Sequence, residues 1–247
     1  MTIRMLAIDV DGTLVSSEGN VSAYTRDVIH RAVNEGIHAV ITTGRSRYFL
    51  HRVKEQLELN EPFICNNGAE IWLNNQTLFM RNALTIEKAN EIMNVLNEHD
   101  VHHIWGNSIE GDFKPSDFEK PIEIAPMKIG AWFHNKETLT AVRKQLGTIK
   151  GLSITSSAEL NLEVMVAGTT KAEGLKKLAA NLDVSMEEIM CFGDSYNDVE
   201  MFKHCGVAVA MGNANDEVKQ LATHMTATND EDGVAKAIEK YILDDFK

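Results

Sequence analysis

The chain has 247 residues, 44% of them apolar and only four of them proline, which is enough to bury one large core or two modest ones. Acidic residues outnumber basic ones by 36 to 24 for a net charge of −12, so no surplus of positive charge exists to follow a nucleic-acid backbone or an anionic membrane surface. A small anionic ligand remains admissible, provided a bound cation or locally placed Lys and Arg receive it.

In chain order, "MLAIDV" predicts a strand and "SAYTRDVIHRAVNEG" a helix with Ser22 as cap and Gly36 as stop. "IHAVITTG" is a second strand, "RSRYFLHRVKEQL" a second helix and "PFICNNGA" a third strand. Residues 83–167 then change character, with helices at "TIEKANEIMNVLNEH" and "KETLTAVRKQLG" and extended runs at "VHHIWG", "MKIGAWFH" and "NLEVMVAG". From residue 168 the first grammar returns. "TKAEGLKKLAANL" is helical, "EIMCFGDS" a strand, "NDVEMFKHC" a helix, "GVAVAMG" a strand, and "DEVKQLA" and "DGVAKAIEKYIL" are helices. Strands alternating with helices predict βαβ units and a parallel sheet covered on both faces. The expected fold class is therefore α/β, a doubly wound, Rossmann-like parallel sheet core from residues 1–82 and 168–247 with an inserted α+β domain at 83–167.

Cys65, Cys191 and Cys205 show neither CxxC nor Cys/His metal spacing and read as free thiols in a reducing compartment. The first apolar stretch already contains Arg4 and Asp9, which argues against a signal peptide, and no window offers the roughly 20 uncharged residues of a membrane span. A cytoplasmic, soluble protein is expected. In the insert, His102, His103, Trp105, Trp132 and Phe133 read as the core and surface of a small sheet, and the His pair lacks further ligands nearby.

In a doubly wound sheet, ligands bind beyond the carboxyl ends of the strands. There this sequence keeps its unusual polar residues: Asp9 and Asp11 after the first strand, Thr42 to Arg45 after the second, Asn66 and Asn67 after the third, and Gly193 to Ser195 after "IMCF". "DVDG" is not a calcium loop of the EF-hand kind, because Ala7 falls where the first Asp is required and a strand precedes it. Asp9, Asp11, Asp194 and Asp198, gathered at one edge, would repel one another unless a hard divalent cation sat among them, and oxygen donors in octahedral array suit Mg²⁺. Such an ion would also receive a phosphate dianion in an otherwise acidic protein.

"DVDGTL", "ITTGR", a lysine at the head of a helix and "GDSYND" resemble, in order, the four motifs of the haloacid dehalogenase superfamily of phosphohydrolases. "VAVAMGNANDEVKQLA" and "NDEDGVAKAI" are similar to its Cof-type branch, subfamily IIB. The match departs at "TKAEGL", where Ala172 follows the motif lysine and glycine is delayed to Gly174. The resemblance implies that Asp9 is the nucleophile and that Asp11 shuttles the proton. It implies that Thr43 hydrogen-bonds a phosphoryl oxygen and that Lys171 offsets transition-state charge. It implies Mg²⁺ held by Asp9, the carbonyl of Asp11 and Asp194, with Asp198 either a further ligand or behind the ligands, and substrate contacts from Gly12, Gly44, Arg45, Asn67 and Asn197. The insert corresponds to a cap that selects the leaving group. The expected function is a Mg²⁺-dependent phosphatase of a small phosphorylated metabolite, a sugar phosphate or phosphorylated cofactor, acting through an aspartyl phosphate. A phosphomutase using the same intermediate and a non-catalytic sensor of a phosphorylated ligand are the alternatives.

Overall fold

The computed structural model describes residues 2–113 and 121–243. β1 (Met5–Ile8) is buried along its whole length. Leu6 and Ile8 enter one apolar cluster while Met5 and Ala7 enter another, because successive side chains leave a strand on opposite faces. This two-sided burial is why the strand reads as a continuous apolar run. α1 (Ala23–Asn34) begins at Ser22, whose hydroxyl accepts from the Thr25 N–H at 2.9 Å, and ends before Gly36 at φ +85°. β2 (His38–Thr42), α2 (Arg47–Leu57) and β3 (Phe63–Cys65) follow, with β1, β2 and β3 parallel.

Two short strands that sequence patterning did not anticipate, β4 (Glu70–Trp72) and β5 (Leu78–Arg81), turn back as an antiparallel extension. Three- and four-residue strands are too short for periodicity to register. Asn74 makes the turn, its side-chain oxygen accepting from the N–H groups of Gln76 and Thr77 at 2.9 Å.

A second sheet is built from α3 (Ile86–Asn97), β6 (Val101–Ser108), β7 (Gly111–Phe113), β8 (Pro126–Phe133), α4 (Lys136–Leu146), β9 (Leu152–Thr155) and β10 (Asn161–Val166). Its five strands run in the order β7-β6-β8-β10-β9, all antiparallel. Ile129, Ala131, Leu162 and Val164 bury one face of it with Ile92, Leu96 and Val142 of the two helices. The chain then returns to the first sheet through α5 (Lys171–Asn181), β11 (Ile189–Gly193), α6 (Val199–His204), β12 (Val207–Ala210), α7 (Asp216–Leu221), β13 (His224–Met225) and α8 (Gly233–Ile238). The first sheet has eight strands in the order β13-β12-β11-β1-β2-β3-β4-β5, the expected doubly wound α/β arrangement with β1 near its centre. Among the described residues no helix is long and apolar enough to cross a membrane, and the three cysteines are free thiols, Cys65 and Cys191 buried.

Candidate active site

β1 delivers Asp9 to the sheet edge, and a tight turn over Val10–Leu14 follows. Gly12 takes φ +73° there, and a Cβ on it would lie 2.3 Å from the Asp194 carboxylate, so only glycine admits the close approach. Asp9 is buried whereas the Asp11 side chain is largely exposed. Asp11 is gripped by Arg45, whose Nε and Nη2 donate to its two carboxylate oxygens at 2.9 and 2.5 Å. That pairing also raises the guanidinium above its ordinary pKa.

Lys171 opens α5 directly after its cap, Thr170, which accepts from the Glu173 N–H. Its buried ammonium donates to Asp9 Oδ1 at 2.6 Å and Asp198 Oδ1 at 2.8 Å. Burial alone would push this ammonium down, but Asp198 and Asp9 together hold it above its usual value. The delayed glycine has a packing role. A Cβ on Gly174 would meet Gly68 Cα and Ile64 Cγ2 at 3.1 Å, while Ala172 is small enough to be buried in the core.

After β11, Asp194 accepts from the Thr13 hydroxyl at 3.2 Å. Asp198 turns Oδ2 to the N–H groups of Asp194 and Ser195, both at 3.1 Å. Its two oxygens thus tie Lys171 to the loop that carries Asp194. Burial, then the carboxylate of Asp198, pushes Asp194 up to about 6, and burial with Asp198 pushes Asp9 well above the ordinary carboxylate range. Asp9, Asp194 and Asp198 each offer an oxygen, all within 4.8 Å of one another, the one group of three or more such ligands found among the described residues. Carboxylates crowded in this way fit a hard divalent cation. The Asp11 carboxylate is not part of this cluster, being committed to Arg45.

The other expected site residues divide. Gly44, Arg45 and Asn197 line a cavity of about 730 Å³ together with Asp9, Asp11, Gly12 and Asp194. Thr43 is fully buried behind that wall, its hydroxyl accepting from the Arg45 N–H at 3.0 Å. Asn67 is likewise buried at φ +53° and accepts from Asn197 Nδ2 at 3.2 Å.

The roof of the cavity comes from the second sheet, and the strand register explains how. Trp105 pairs with Gly130, which pairs with Glu163, and Asn107 pairs with Lys128. These side chains therefore share the face opposite the helices, and all of them line the cavity except Gly130, whose missing Cβ leaves room for the Trp105 ring. Lys128 and Glu163 were not singled out by sequence patterning. Their signal was available as one lysine and one glutamate inside otherwise apolar strands, where unpaired charge is excluded. Both are buried and 3.3 Å apart. Lys128 Nζ also donates to the Gly44 carbonyl at 2.6 Å, and Glu163 accepts from Asn67 Nδ2 and, at 3.0 Å, from the Ser157 hydroxyl. Burial holds the Lys128 ammonium below its ordinary pKa although Glu163 opposes the shift. Outside the cavity, Asn213 Nδ2 donates to the Gly12 carbonyl at 2.8 Å.

The chain is similar to known proteins along most of its length. A family model described as haloacid dehalogenase-like hydrolase matches residues 6–113 and 107–238. The chain is 36% identical over 241 residues, 98% of its length and 96% of the relative's, to the 5-amino-6-(5-phospho-D-ribitylamino)uracil phosphatase YcsE of Bacillus subtilis. It is 26% identical to the pyridoxal phosphate phosphatase YbhA of Escherichia coli, over 98% of this chain and 100% of that one. Among solved structures, BT1666 from Bacteroides thetaiotaomicron, described among the phosphatases of the haloalkanoate (HAD) superfamily, superimposes with a TM-score of 0.82. It is 31% identical, over 97% of this chain and 95% of that one.

Proposed function

The chain belongs to the haloacid dehalogenase-like hydrolases and is a phosphoric monoester hydrolase, and from that premise we propose that it is a Mg²⁺-dependent phosphatase of a small phosphorylated metabolite acting through an aspartyl phosphate on Asp9. The observation that carries the reading is the buried carboxylate of Asp9, fixed at 2.6 Å by Lys171 beside Asp194 at the bottom of the cavity.

In this reading Lys171 holds one oxygen of Asp9, which orients the carboxylate for in-line attack on phosphorus. The P–O ester bond breaks as the Asp9–phosphorus bond forms, and Asp11 gives its proton to the departing alkoxide. Asp11 then takes a proton from the water that hydrolyses the acyl phosphate, which restores both carboxyl groups. Arg45 holds Asp11 at the mouth of the cavity during both transfers. The ammonium of Lys171 faces the charge that develops on the phosphoryl oxygens, a contribution often worth about 3 kcal/mol in such sites. Bound Mg²⁺, held by Asp9, Asp194 and the carbonyl of Asp11, would supply the positive charge that receives the phosphate dianion. Asp198, with both oxygens already committed to Lys171 and backbone N–H groups, positions rather than ligates. Thr43, hydrogen-bonded to the Arg45 N–H, shapes the turn that carries Arg45. Residues 83–167 act as the cap. Since named relatives act on a ribitylaminouracil phosphate and on pyridoxal phosphate, esters of that size are the substrate class to try first.

The test is phosphate release from a panel of phosphorylated metabolites, with and without Mg²⁺, by the protein and by Asp9→Asn. Mg²⁺-dependent release that disappears in the variant is the expected result. Full turnover by Asp9→Asn would overturn the reading.

A further inference from the structure

Lys128 is a buried cation in the cavity wall that the reaction described above does not use. An ammonium has three N–H donors. One goes to the Gly44 carbonyl at 2.6 Å and one to Glu163 Oε2 at 3.3 Å. The third has no oxygen or nitrogen acceptor among the described residues; the nearby Trp105 ring, 4.6 Å away, offers only its π face. A buried charge with an unspent donor is expensive to maintain unless something completes it.

Its position says what that is. Gly44, to which Lys128 is fixed, directly precedes Arg45, and Arg45 holds Asp11, the group that serves the leaving oxygen in the proposed reaction. The phosphoryl end has its own cation in Lys171, already bonded to Asp9 and Asp198. Lys128 thus lines the cavity in the roof beside Trp105 and Asn107, one residue removed from the turn that serves the leaving oxygen.

Building on the phosphatase reading, we propose that Lys128 determines specificity by donating a hydrogen bond to a hydroxyl or carbonyl oxygen on the carbon next to the ester carbon. The substrate class is thereby narrowed to phosphomonoesters oxygenated at that carbon. Glu163, held by Asn67, Ser157 and Asn161, keeps the ammonium charged and aimed.

Glycerol 1-phosphate and 3-hydroxypropyl phosphate differ only in this oxygen, and the ratio of their kcat/KM values is the readout. A charge-assisted hydrogen bond of ordinary strength gives the wild type a preference of about ten- to a hundredfold for the glycerol ester. Lys128→Met should bring the ratio close to one. Because that change strands the Glu163 carboxylate in the interior, Lys128→Met/Glu163→Leu is measured beside it, with thermal melting to establish folding. A ratio near one in the folded double variant supports the proposal. A ratio retained in that variant, whatever the individual rates, overturns it and leaves Lys128 as a tie between the two sheets. A wild-type ratio near one overturns it as well. No Mg²⁺-dependent release by the wild type from these esters or from any member of the panel of phosphorylated metabolites overturns the proposed reaction itself, and is told apart because it appears before any substitution.

Discussion

The ammonium of Lys171 lies 2.6 Å from a carboxylate oxygen of Asp9, with both side chains sealed from solvent. The same ammonium reaches Asp198 at 2.8 Å, so one cation is shared by two buried carboxylates. Lys171→Met would leave both without a partner, at a cost of about 3–5 kcal/mol in stability. It would also remove the charge facing the phosphoryl group, lowering kcat by about 10² to 10³. Thermal denaturation and steady-state kinetics on the variant check the two effects, and near-wild-type turnover would refute the placement of Lys171 in the reaction.

Arg45 and Asp11 form a pair of the opposite kind, gripped in two places yet at the open rim of the cavity. Exposed ion pairs add at most about 1 kcal/mol to stability. Arg45→Ala should therefore leave Tm within about 4 °C of the wild type while lowering kcat/KM by about tenfold or more, because Asp11 loses its orientation. A large fall in Tm with unchanged kinetics would reverse the assignment.

The elements that position Asp9, Arg45, Lys171 and Asp194 were legible because each motif is local. An apolar run ending in acids, a cap followed by an amphipathic stretch and a glycine at a tight turn are all read within about ten residues. Lys128 and Glu163 were not, since their meaning arises only once β8 and β10 pair and the face they share closes over Gly44. Trp105 was expected in a small sheet, which is correct, but its place in the cavity wall follows from its partner Gly130, a cross-strand relation no local pattern contains. The β4–β5 hairpin escaped for a different reason, its strands being too short to show alternation.

Gly12→Ala tests the turn that brings Asp194 to Asp9. The added Cβ would fall 2.3 Å from an Asp194 oxygen, on a backbone at φ +73° that costs a side-chain-bearing residue about 1–2 kcal/mol. The carboxylate must move, so the Mg²⁺ concentration for half-maximal activity should rise about tenfold or more, with a smaller change at saturating Mg²⁺. A Mg²⁺ titration of activity decides it; an unchanged midpoint would mean that Asp194 is not a ligand.

The pH dependence of metal binding follows from the same carboxylate. Without metal, burial and then Asp198 push Asp194 up to about 6. A carboxyl whose folded pKa is raised contributes stability that is fully present below its unfolded value near 4 and is lost as pH rises through about 6. Asp9, raised by burial and by Asp198, acts in the same direction. A divalent cation binds the ionised forms and so removes this burden where it is greatest, above pH 6, whereas at lower pH it must first displace a proton. The gain in Tm from saturating Mg²⁺ over EDTA should accordingly be larger at about pH 8 than at about pH 5, and apparent affinity should fall by up to about tenfold per pH unit below 6 for each proton displaced. Asp194→Asn, which cannot ionise, should show a small gain that varies less with pH. An equal gain in the wild type at both pH values would place the metal elsewhere than on Asp194.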